Sequence, residues 1–187
     1  MPAMRYDPNV RHRRSIRLKW YDYASPGAYF VTLCTQGHRC LFGEVVDGLV
    51  DLNDAGWMVE RWWNELPRKF SSIQIDTFVV MPNHFHGIIV IVGGNVQDRH
   101  GAHTQVRPYE RVGLGRVVQW FKTMTTNAYM HGVHEFGWPR FQKRLWQRNY
   151  FEHVARNEDD LLAIREYVVN NPARWLEDPD HPTNVVT

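Results

Sequence analysis

Cysteine is scarce in this chain, with only Cys34 and Cys40 among 187 residues. Neither lies in a Cys-x-x-Cys pair, so the sequence carries no zinc-ribbon spacing and no disulfide framework, and a reduced, cytoplasmic protein is the expectation. No apolar run approaches the roughly 18 residues that a membrane-spanning helix needs. The basic N-terminus has no apolar stretch behind it, which argues against a signal peptide. Charge of one sign is also lacking: the formal net charge is +2. Net charge alone therefore calls for no polyanionic partner, although its distribution is uneven. Arg11, Arg13, Arg14, Arg17 and Lys19 crowd the first 20 positions, and Arg140, Lys143, Arg144 and Arg148 form a second group. Such groups either neutralise phosphates or are solvated faces. Repeats and low-complexity segments are missing as well.

What is present suits one domain over 1–187, with a basic irregular arm at 1–26, a polar loop at 93–113 and a tail at 176–187. Residues 28–35, rich in β-branched and aromatic side chains, predict a strand, and 40–46 a short partner for it. Apolar residues at helical spacing predict a helix over 53–66 that Pro67 stops. Strands are expected at 74–81 and 86–92, with Pro82-Asn83 between them as either a turn or a bulge. A helix over 114–130 ends at Gly132, and an extended stretch follows at 150–155. The last helix, 157–171, opens on Asn157 with Glu158, Asp159 and Asp160 in its first turn, where negative charge suits the helix dipole. Its expected apolar stripe is Leu161, Leu162, Ile164, Val168 and Val169. This order predicts an α+β domain with a mainly antiparallel sheet and helices packed on it. The eight Trp are either core or, for a few, a stacking surface for unpaired bases.

Two patterns bear chemistry. His84 and His86 lie two apart in Met81-Pro82-Asn83-His84-Phe85-His86-Gly87. On a strand they share one face, about 7 Å apart at Cα. They are either a pair able to grip one metal ion or a chance pair in a chain with ten histidines. Tyr167 and Asn171, one helical turn apart, share one side of the last helix at the flank of its apolar stripe. They either face a cleft at the sheet edge, or are a half-buried ring and a cap before Pro172.

The segment around His84 and His86 resembles the His-hydrophobic-His motif of the HUH endonucleases. The stretches Leu145-Trp146-Gln147-Arg148-Asn149-Tyr150 and Arg165-Glu166-Tyr167-Val168-Val169-Asn170-Asn171-Pro172 resemble the end of the single-tyrosine transposases, and the REP-associated tyrosine transposases match best. The likeness spans roughly 15–175. It implies a ferredoxin-like antiparallel sheet with the histidines on a central strand. It implies His84, His86 and Asn171 as metal ligands, where related transposases often carry Gln at the last position, and Tyr167 as the nucleophile, with Tyr150 as its rival. Lys122 would help position the scissile phosphate, and Arg14, Arg17, Arg144 and Arg148 would contact DNA. A divalent ion, Mn²⁺ or Mg²⁺, is the implied cofactor. Single-stranded or hairpin DNA is the implied partner, with a monomer favoured over a dimer and no membrane. The expected activity is nicking and joining of single-stranded DNA through a 5′-phosphotyrosine. The alternatives are a catalytically inactive hairpin-binding domain and a metal-dependent hydrolase. The hydrolase lacks an obvious general base, the nearest carboxylate in sequence being Asp76.

Overall fold

The structure is a computed structural model and describes residues 20–93 and 112–185. Arg14 and Arg17, most of the polar loop and the extreme tail lie outside the described residues. Strands β1 (Gly27–Cys34), β4 (Ile73–Val80), β5 (His84–Ile91) and β6 (Phe151–Val154) form one antiparallel sheet in the order β4-β5-β1-β6. Helices α1 (Asp54–Asn64) and α3 (Leu114–Glu135) cross between strands and cover one face. This is the ferredoxin-like α+β arrangement, with β5 interior. Helix α4 (Glu158–Asn170) lies against the other face.

Strand alternation explains the two faces. Successive side chains point to opposite sides, so Phe85, Ile89 and Ile91 enter the large core with Trp63 and Phe121. His84, His86 and Ile88 face α4. Phe85 and Trp63 rings stand 4.5 Å apart at their centroids and lock β5 to α1. Gly87 leaves room for that pair: a Cβ there would stand 2.5 Å from the Trp63 ring and 2.7 Å from that of Phe85.

Several expected boundaries move. The segment predicted as a partner of β1 is instead β2 (Gly43–Val46), which pairs with β3 (Leu49–Leu52) in a separate hairpin. Its turn is Asp47-Gly48, both at positive φ, as a type I′ hairpin demands. Pro82-Asn83 is a turn, and the bulge falls in β4, between Ile75 and Phe78. Helix α1 closes at Asn64, and Pro67 sits inside a further short helix, α2 (Leu66–Lys69). Helix α3 runs through Gly132, whose missing side chain leaves room for the Trp138 ring rather than ending the helix. On α4 the stripe is narrower than expected. Ile164 and Val168 are buried, whereas Leu162 and Val169 face outward. The last helix is followed by a 3-10 turn over Pro172–Glu177 that buries Trp175, with the next residue, Asp178, also buried. Of the tryptophans, only Trp20 and Trp57 are largely exposed among the described residues, so the core reading holds for the rest.

Candidate metal and tyrosine centre

The face between β5, β1 and α4 gathers the chemistry-bearing residues. His84 and His86 are buried, with ring centroids 4.5 Å apart. Each ring is held by its inner nitrogen. Thr32 lies directly across from His86 in the β1–β5 pair, and its hydroxyl is 2.8 Å from His86 Nδ1. His84 Nδ1 is 2.8 Å from Asn83 Oδ1. The Asn83 amide cannot turn round, because its nitrogen donates to the carbonyls of His38 and Asp180. Its oxygen therefore accepts from His84 Nδ1–H. In the neutral ring this aims the Nε2 lone pair into the site, the usual way an outer partner sets a metal-binding imidazole. Burial, and then the neighbouring His84, hold the His86 pKa well below the ordinary histidine value, which keeps that ring uncharged near neutral pH.

Helix α4 supplies the phenol. Tyr167 Oη stands 3.5 Å from His86 Nε2, with the ring edge-on to Phe30, which itself stacks on His86. Arg165, two residues earlier, grips Asp76 through Nε at 3.1 and 3.2 Å and Nη2 at 2.6 Å. Asp76 lies at the β4 bulge, which turns a residue out of register. That guanidinium holds the Asp76 carboxyl at about 2, well below the usual carboxylate range.

Asn171 caps α4 and is buried. Its Nδ2 donates to Asp178 Oδ2 at 2.7 Å, while its Oδ1 is buried with no hydrogen-bond partner. His84 Nε2 likewise has none, and it faces Asp178 Oδ2 at 4.0 Å. The ligating atoms of His84, His86 and Asp178 all lie within 4.8 Å of one another. The His84, His86 and Asp178 atoms brought together in a buried space repel unless a cation joins them, and the orphaned His84 nitrogen and Asn171 oxygen are costly where they stand. The convergent donor set of two imidazoles and a carboxylate fits a divalent ion.

Asp178 was missed at the level of sequence, and it removes the argument that no carboxylate lies near the histidines. No local signal marks it. It reaches the site because Trp175 packs against His84, with ring centroids 5.9 Å apart, and carries the following turn inward.

The other predicted residues lie elsewhere. Lys122 Nζ donates to the Gln147 carbonyl at 2.9 Å and stands over the Tyr150 ring. Burial lowers its pKa to about 8. Tyr150 packs on the α1–α3 side of the sheet. Arg144 and Arg148 are exposed on the loop before β6. Beside Tyr167 opens a cleft of about 430 Å³, lined among others by Glu166, Asn170, Arg174 and Asp178.

No protein-family model matches the chain. It is 39% identical over 183 residues to an uncharacterized protein of Haemophilus influenzae, covering 93% of this chain and 96% of that one. Among solved structures, it is similar to a REP-associated tyrosine transposase bound to a REP hairpin. That match has a TM-score of 0.54 and 19% identity, and covers 89% of this chain and 74% of the other. No helix among the described residues is long and apolar enough to cross a membrane. The chain thus belongs to one family with the Haemophilus influenzae protein, and its fold is that of the REP-associated tyrosine transposase.

Proposed function

We propose that this protein is a metal-dependent single-stranded DNA endonuclease and strand transferase acting on hairpin DNA, with Tyr167 as nucleophile and His84, His86 and Asn171 as metal ligands. The observation that carries the reading is the phenol oxygen of Tyr167 standing 3.5 Å from Nε2 of a buried histidine whose other nitrogen is tied to Thr32. A phenol has an ordinary pKa of about 10, so roughly one in a thousand is ionised near neutral pH. A divalent cation, Mn²⁺ or Mg²⁺, would supply Lewis-acid polarisation of the scissile phosphate and offset charge on the departing oxygen.

The chain's own residues do the rest. Tyr167 Oη attacks phosphorus and loses its proton. The bond from phosphorus to the 3′ oxygen breaks, and that oxygen takes up a proton as a 3′-hydroxyl. The 5′-phosphate stays on the tyrosine, which conserves the phosphodiester energy, so a second 3′-hydroxyl can reverse the step without a nucleotide triphosphate. The Arg165–Asp76 pair and the Phe30 edge hold the α4 segment that bears the phenol. Arg174 beside the cleft, with Arg144 and Arg148, offers charge to the backbone. All four central groups come from one chain, which supports action as a monomer.

The arrangement of Asp178 beside His84 also fits a hydrolase in which water, not tyrosine, is the nucleophile. End-labelled hairpin oligonucleotides with Mn²⁺ on a denaturing gel separate the two. The tyrosine reading expects a covalent protein–DNA species mapped to Tyr167 and none from Y167F, which still binds the hairpin. A free 5′-phosphate without an adduct supports the hydrolase. Binding without cleavage identifies an inactive hairpin-binding domain. An adduct on Tyr150 moves the nucleophile to the other side of the sheet.

A further inference from the structure

A second cluster of metal-ligating side chains lies next to this centre. Cys34 ends β1, directly across from His84 in the strand pair. His38 closes the 3-10 turn Gln36–His38, and Asp180 follows Asp178 in the tail. The ligating atoms of Cys34, His38 and Asp180 all lie within 4.8 Å of one another. We propose that Cys34, His38 and Asp180 form a second metal site, of zinc class, separate from the centre at His84 and His86.

The donor chemistry selects the ion. A thiolate, an imidazole and a carboxylate form a soft and borderline set that suits Zn²⁺ and leaves the fourth tetrahedral position to water. Metal–ligand lengths of about 2.0–2.3 Å place neighbouring ligands of a tetrahedron about 3.3–3.8 Å apart. His38 Nδ1 and Asp180 Oδ1 already stand 3.6 Å apart. The Cys34 sulfur lies within 4.8 Å of both of those atoms, so all three groups meet at one place. Zinc replaces the thiol proton, and thiolate plus carboxylate balance its charge.

The frame is built as well. His38 sits at a φ of 51°, a left-handed conformation that non-glycine residues seldom adopt and that marks sites where geometry is imposed. Asn83 ties both sides together, donating to the carbonyls of His38 at 3.1 Å and Asp180 at 2.7 Å. The Gln147 amide lies 2.8 Å from His38 Nε2. Metal binding at Nδ1 requires that amide to turn half round, giving up its 3.4 Å contact with the Thr35 carbonyl, so that its oxygen accepts from Nε2–H. Burial, and then the carboxylates of Asp180 and Asp178, push the Cys34 thiol well above its ordinary value, with the Lys122 cation only a minor opposing influence, so the thiol keeps its proton until a metal ion takes its place. An ion here pins the tail segment that carries Asp178 to the end of β1.

Cobalt titration of the full chain, stripped of metal beforehand, tests this. The expected result is a sulfur-to-cobalt charge-transfer band that is bleached by Zn²⁺ and, in H84A/H86A, saturates at one equivalent. The band is lost in C34S and in H38Q. It persists in C40S and in the H84A/H86A double variant. Zn²⁺ should also raise the melting midpoint of H84A/H86A, which lacks the first centre, but not that of the same variant carrying C34S. Far-UV circular dichroism checks folding, and H38Q serves if C34S fails to fold. No band in the parent protein, a band that follows Cys40, or a band abolished in folded H84A/H86A overturns the proposal. Nicking supported by Mn²⁺ does not enter this readout, so failure here leaves the tyrosine reading standing.

Discussion

Replacing Asp76 by Asn tests whether one ion pair holds the α4 segment that bears the phenol. The pair is bidentate in form, with three contacts between 2.6 and 3.2 Å, and a further arm of Arg165 reaches Glu158 at 3.2 Å. Asp76 titrates ordinarily at 3.8 and here at about 2. At about 1.4 kcal/mol for each pH unit between those values, the upper bound is a little over 2 kcal/mol. The two side chains are 22% and 33% exposed, so solvent screening brings the expectation to roughly 1–2 kcal/mol. The sign follows from linkage. The folded protein binds this proton less readily than the unfolded chain, so the contribution is complete above the ordinary carboxylate value and disappears as pH falls towards about 2. Urea denaturation of the parent protein and D76N should therefore show a constant gap of roughly 1–2 kcal/mol near neutral pH. The gap should close between about pH 4 and about pH 2. Hairpin nicking by D76N should slow while hairpin affinity holds, because Arg165 lies on the same helix as Tyr167. A gap that survives unchanged at low pH, or that is below about 0.3 kcal/mol at neutral pH, refutes the argument that this charge pair seats the helix.

T32V removes the oxygen that orients His86 while keeping the volume of a side chain only 6% exposed. Metal affinity by calorimetry should fall about 10- to 100-fold with the fold retained, and an unchanged affinity would separate Thr32 from the metal site. G87A forces a methyl group into the Trp63 and Phe85 rings, which are fully buried and have little room to move. Chemical denaturation should show a loss of about 1–3 kcal/mol, and a loss below about 0.5 kcal/mol would mean the rings yield. A chelator should abolish hairpin nicking and Mn²⁺ restore it, whereas cleavage that continues in chelator would remove the metal from the proposed reaction.

The ferredoxin-like sheet and the site-bearing elements were legible because they rest on local patterns. The cap at Asn157, confirmed by its acceptance of Asp160 N–H at 2.8 Å, and the alternation through β5 need nothing beyond neighbouring residues. Alternation also told which side of β5 the histidines would share. What stayed hidden depends on contacts far apart in the chain. Gly132 looks like a helix stop until Trp138 folds back over it. Thr32 becomes the partner of His86 only when the β1–β5 register is known, since its hydroxyl carries no mark in sequence. Asp178 looks like part of a polar, proline-bounded tail, and only the packing of Trp175 on His84 brings it inward. The Asp47-Gly48 hairpin is different in kind. Its signal, an Asp-Gly pair, is present in the sequence, but the second strand, Leu49–Leu52, is short and half-polar, whereas the expectation pairs 40–46 with β1.

The two faces of the sheet divide stability from chemistry. The α1–α3 face joins many large side chains into one core, among them Trp63, Phe85, Phe121 and Tyr129. The α4 face buries only Phe30, Ile88, Ile164 and Val168 in its cluster among the described residues. At about 25 cal/mol for each Å² of apolar surface removed from water, that small cluster anchors α4 far less firmly than the opposite layer is anchored. Polar links therefore matter more on the side that carries Tyr167. Arg165–Asp76 holds the middle of α4, Asn171–Asp178 holds its C-terminal end, and Asp160, near its start, accepts from Arg156 N–H and stands 3.0 Å from His153 Nε2. Such links loosen with charge and metal occupancy more readily than an apolar core does. In the proposed reaction the phenol attacks a strand and later releases it, and a helix seated by polar links gives Tyr167 more freedom for that than an apolar interface would.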